Sequence, residues 1–111
     1  MAFAGCHVAC LYVNSPGAPG LIGGLQWSET LASAGTTSRA MPSNPSGPYP
    51  VGNYFPSFEI TVSAESWVAV GPNPDASQAS GTGNAARFRI GAGETRNVWC
   101  TAGDKVAWAA A

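Results

Sequence analysis

FEITV (58–62), SWVAVGPNPDAS (66–77) and RFRIGAGETRNVWCTAGDKVAWAAA (87–111) decide the fold. They are short apolar runs cut by Gly, Pro, Asn and Asp, the punctuation of strands joined by tight turns. Phe58, Ile60 and Val62 alternate with Glu59, Thr61 and Ser63, and Phe88 and Ile90 alternate with Arg87 and Arg89. Successive side chains on a strand point to opposite faces, so each run can bury one face and wet the other. The spacing predicts strands over 57–63, 66–71, 86–91, 94–100 and 104–109. The fold class expected is all-β: a single antiparallel β-sandwich or small barrel, with a long proline-rich loop. Ala102 to Lys105 reads as a tight turn with Gly103 free to take positive φ. The small, polar stretch 71–85 reads as an exposed tip.

Residues 3–13 read as an N-terminal strand that is largely apolar on both sides. Ala4, Cys6, Val8, Cys10 and Tyr12 share one face, and Phe3, Gly5, His7, Ala9, Leu11 and Val13 the other. A strand of that kind is covered on both sides, here by a neighbouring subunit. Residues 14–24 form a glycine- and proline-rich loop. Residues 25–31, anchored by Trp27, read as a strand, with a turn at Gly35 and a further strand after it, although Ser28-Glu29 also resembles a helix cap. Residues 42–57 carry five prolines, which argues against a central strand because proline cannot donate to a ladder. Two readings stand for this segment, an ordered surface loop and an extended arm on a neighbour with Tyr49, Tyr54 and Phe55 as anchors. With Leu11 and Val13, these are the candidate interface residues.

The 111 residues suit one domain, 1–111, with the strand core at 57–109. Charged residues are 10%, against roughly 25% in ordinary soluble domains. So sparsely charged a surface suits a chain packed against other chains. Fourteen glycines and nine prolines, with few Glu, Lys, Leu and Arg, favour turns over helices. The net charge is −1 and no basic stripe exists, so direct nucleic-acid binding is not expected. No apolar run is long enough to span a bilayer, and no membrane association is expected. Ala4-Gly5-Cys6 looks like a lipoprotein cleavage site, but a basic n-region and a longer apolar stretch are missing before it, so a signal peptide is rejected.

The chemistry-bearing residue types do not assemble into a catalytic pattern, and no enzyme activity, cofactor or metal is expected. Cys6 and Cys10 would lie about 13 Å apart on an extended strand, at roughly 3.3 Å per residue. Zinc holds its sulfurs at about 2.3 Å, and His7 points to the opposite face. The three cysteines are an odd number, which suits reduced, buried thiols acting as small hydrophobes. Glu29, Glu59, Glu65, Asp75, Glu94 and Asp104 are scattered over turns and polar faces. The GTG and GAG stretches lack the lysine and helix of a phosphate loop. Trp27, Trp67, Trp99 and Trp108 could form a carbohydrate platform, but three of them lie inside apolar runs, where core or subunit packing is the better account.

Glu29-Thr30-Leu31, the Ser/Thr-rich turn after it, WVAVGPNPDA (67–76) and AGDKVAW (102–108) together resemble small bacteriophage particle proteins. These are short all-β structural proteins encoded among head and tail genes. The likeness covers about residues 28–111; the first 27 residues and the proline-rich arm lie outside it. Size and expected architecture are similar to the jelly-roll capsid decoration proteins, of cement or staple type, of short-tailed phages, so the resemblance implies a jelly-roll-like sandwich. The resemblance implies a non-enzymatic virion protein, made in the host cytoplasm, that binds the outside of the major capsid shell and stabilises the head. Its implied partners are the major capsid protein and further copies of itself, a dimer above all. It transfers no functional residue. The alternative is a head-fibre or tail-tip module that binds a host-surface glycan through loop 71–85.

Overall fold

The computed structural model describes residues 3–13, 22–43, 55–82 and 86–111. Among these residues eight strands form: β1 (Cys6–Val13), β2 (Ile22–Leu31), β3 (Gly35–Thr36), β4 (Phe55–Val62), β5 (Ser66–Gly71), β6 (Arg87–Ile90), β7 (Thr95–Trp99) and β8 (Lys105–Ala110). They build two four-stranded antiparallel sheets, ordered β2-β1-β4-β7 (sheet A) and β3-β8-β5-β6 (sheet B). The chain changes sheet at every connection from β2 to β5 and again from β6 to β8. That wrapping makes a double-sheet β-sandwich of the jelly-roll kind.

The alternation read from the sequence sets the faces. Cys6, Val8, Cys10, Phe58, Ile60 and Val62 of sheet A meet Val68, Val70, Ile90 and Val106 of sheet B in one core. Phe58 is the largest fully buried side chain among the described residues, and the Trp27 ring tilts against it at 5.9 Å between centroids. Burying a side chain of this class contributes roughly 1.5–3 kcal/mol, so a few such residues outweigh any surface contact here. Trp27 also satisfies its indole N–H by donating to the Ala40 carbonyl at 3.0 Å.

β1 begins at Cys6, later than the sequence suggests, because Gly5 takes a φ of 101°. A side chain there would collide with the Leu31 carbonyl, so only glycine fits. Gly103 adopts the expected positive φ, 91°. Asp104 belongs to that turn and not to β8. Its buried carboxylate accepts from the Thr101 N–H at 3.0 Å, and Met41 and Asp104 tie the turn to the segment after β3 through the Met41 N–H, which donates to the Asp104 carbonyl at 2.8 Å.

Two expectations need correction. Phe55 and Pro56 open β4, a central strand between β1 and β7, although the prolines argued against one. Pro56 sits at the second position, where its carbonyl still accepts from the Cys100 N–H at 3.3 Å and only the outermost rung loses a donor. The stretch after β5 is not simply an exposed tip. Ala76 folds down onto Ala69 and Ala107 on the outer face of sheet B and is buried with them.

Candidate interaction surface

The register places the outward side chains of sheet A in rows. Leu25, Leu11, Ser57 and Trp99 lie across one row, and Val13 stands beside Phe55 in the next. Two rows further along, Thr30, His7, Thr61 and Thr95 form a polar band. His7 Nδ1 is hydrogen-bonded to Thr30 Oγ1 at 2.7 Å, and the Thr61 and Thr95 hydroxyls meet at 2.7 Å. The outer face is therefore apolar at one end and hydroxyl-lined at the other. Its one charged side chain, Glu59, is half-buried and stands between the two.

The apolar end is exposed at its margins. Trp99 is 68% exposed, Leu25 60% and Phe55 38%, three of the four large apolar side chains exposed among the described residues. Leu11, Val13 and Ala9 are buried between them as a small cluster, separate from the core. Exposed apolar residues scattered singly are ordinary; grouped on one sheet face they mark an interaction surface.

Of the candidate interface residues, Leu11, Val13 and Phe55 come together here. Tyr49 and Tyr54 lie outside the described residues. Sequence reasoning weighed Trp99 only with the other tryptophans, as a sugar platform or as packing, and did not single out Leu25. Trp99 was legible, since Val98 and Cys100 alternate with it and take the inward side. Leu25 was not. Alternation puts Leu25 and Trp27 on one face, but the register shifts between Cys10 and Leu11, so Trp27 pairs Cys10 inward while Leu25 pairs Leu11 outward.

Sheet B presents a different outer face. The Arg87 guanidinium lies 3.9 Å above the Trp67 ring and donates to the Ala76 carbonyl at 3.2 Å. Asp75 caps the same loop. Its carboxylate accepts from the Ser77 hydroxyl at 2.6 Å and backbone N–H at 3.0 Å, which lowers its pKa. Between this loop and β3 runs a groove of about 230 Å³ lined mainly by small residues, among them Ala34, Gly35, Pro74 and Ala107.

The thiols face inward. Burial pushes the Cys6 pKa up to about 11 and that of Cys10 up to about 12. Cys100 is raised further by burial first and then by the nearby Cys10 and Asp104. Thiols so protonated are poor nucleophiles and poor ligands. Cys10 lies with its sulfur 3.6 Å from that of Met41, a packing contact of two soft atoms. His7 stands on the other side of the sheet from Cys6 and Cys10. Among the described residues, no three His, Cys, Asp or Glu side chains are grouped to hold a metal.

Compared with known proteins, the chain matches no protein family, no curated protein and no solved structure.

Proposed function

We propose that the protein is a non-enzymatic structural component of a bacteriophage particle, a decoration protein that binds the outside of the major capsid shell. The carrying observation is the apolar end of the outer face of sheet A, where Trp99, Leu25 and Phe55 surround Leu11 and Val13. The sparse charge and the resemblance of 67–76 and 102–108 to phage particle proteins support the same reading. The mechanism is mechanical. A small sandwich seated across a seam adds buried area to the assembled shell and none to separated subunits, so it stabilises assembly by linkage.

The test adds purified protein to heads that lack it and counts bound copies after sedimentation. The parent chain is expected to occupy the shell in high copy number, and the pair of substitutions Trp99→Ser and Leu25→Ser to reduce occupancy strongly. Absence of binding by the folded parent chain overturns the role. The glycan-binding alternative has less support. The described part of its loop packs Ala76 onto sheet B, and the nearby Trp67 ring is already covered by Arg87.

A further inference from the structure

Each sheet has two edges, and three of the four are guarded. β3 is two residues long. β6 has four residues, and its outward side chains are occupied: Arg87 by Trp67, and Arg89 by Glu65 at 3.7 Å. β2 is interrupted by two register shifts. Short strands, charges and bulges are the usual protections of an edge. β7 has a regular register against β4, no proline, no lysine and no bulge. Its one charge, Arg96, is neutralised within the chain by Glu94 at 2.8 Å.

The hydrogen-bond phase of β7 follows from the bonds at its ends. The Cys100 N–H donates to Pro56 at 3.3 Å and the Val62 N–H to Glu94 at 3.3 Å. Antiparallel pairs alternate between bonded and non-bonded, so Val98 and Arg96 exchange bonds with Phe58 and Ile60, their partners in register. Thr95, Asn97 and Trp99 then turn their N–H and C=O groups away from β4. No described residue receives the Asn97 or Trp99 backbone, and the Thr95 carbonyl accepts only a 3.3 Å bond from its own Arg96. All three residues are exposed.

We infer that β7 is a self-pairing edge, joining two copies of this chain antiparallel about a two-fold axis at Asn97. In that register Asn97 faces its own counterpart, and Thr95 faces Trp99 of the other copy in both directions. All the free backbone groups are then satisfied reciprocally, as an isologous contact requires. No like charges stand opposite, because Arg96 faces Val98. The two sheets become one of eight strands, and the exposed Trp99 of each copy lies on the same outer face, beside the hydroxyls of the other copy's Thr95 band. One short edge buries less than the about 1,200 Å² of a standard interface, so the dimer is a concentration-dependent one. The inference concerns the free chain and stands apart from the particle role.

The test is therefore made without particles. Sedimentation velocity on the unmodified chain across a concentration series is expected to show monomer giving way to dimer, with hydrogen exchange at Thr95, Asn97 and Trp99 slowing in step. Asn97→Lys and Asn97→Asp each place like charges opposite across the axis, and each is expected to weaken the dimer by about fivefold or more. Mixing the two variants is expected to restore it, which a folding defect would not do. A parent chain that stays monomeric at every concentration overturns the inference. So does a dimer whose β7 amides exchange at the monomer rate, or one that survives both variants unchanged.

Discussion

The outer faces of the two sheets were built from the same local pattern and ended differently. Each carries a tryptophan at an outward strand position, Trp99 on sheet A and Trp67 on sheet B. Trp67 is roofed by Arg87, and the alanines beside it are covered by the descending Ala76. Among the described residues Trp99 has no such cover, and it is 68% exposed. An outward aromatic is therefore not by itself a binding residue. What counts is whether the same chain supplies a roof, and on sheet B a single arginine and one turn of loop do so.

Phe58→Ala strikes the core behind sheet A and leaves a cavity, so a loss of about 3–5 kcal/mol is expected in denaturant unfolding. A loss under about 1 kcal/mol would mean that sheet A is not seated on that core. Raising the pH acts on the same inward face. The thiol pKa values are raised in the fold, so stability is full below the unfolded value near 9 and falls as pH rises through the window up to about 11 for Cys6 and about 12 for Cys10. Each thiol is expected to cost about 1.4 kcal/mol per pH unit within its window, read as a falling melting temperature. Replacing Cys6 with alanine should flatten part of that slope.

Arg87→Ala removes the roof of sheet B. The stacked cation and its bond to Ala76 together contribute about 1–2 kcal/mol, and Trp67 fluorescence should shift toward that of a wetter indole. An unchanged emission spectrum would show that the arginine does not shield the ring. Trp99→Ser is expected to change stability least, within about 0.5 kcal/mol, because the side chain is already in water. Its effect belongs to binding, and a large stability loss would move Trp99 from the interaction surface into the folding core.

Much of this was legible from residues alone. The run 66–71 is β5 to the residue, and the two faces of residues 6–13 separate as the alternation says. Leu11 and Val13 were readable as candidates, since an apolar residue on the wrong side of a strand needs a cover, and Phe55 as an anchor of the proline-rich arm. Leu25 was hidden by the bulge against β1, and Arg87 gave no sign of its position over Trp67, because their meeting depends on β5–β6 pairing.

Local chemistry thus determined the strands, their two faces and the turns, since period-two alternation and glycine's access to positive φ act within a few residues. Tertiary structure decided neighbourhood. It put Pro56 in a central strand, left β7 at an edge, roofed Trp67 and left Trp99 bare. These outcomes depend on pairing between residues far apart in the chain, which periodicity within one strand does not encode. A strand carries the same alternation whether another strand lies beside it or water does.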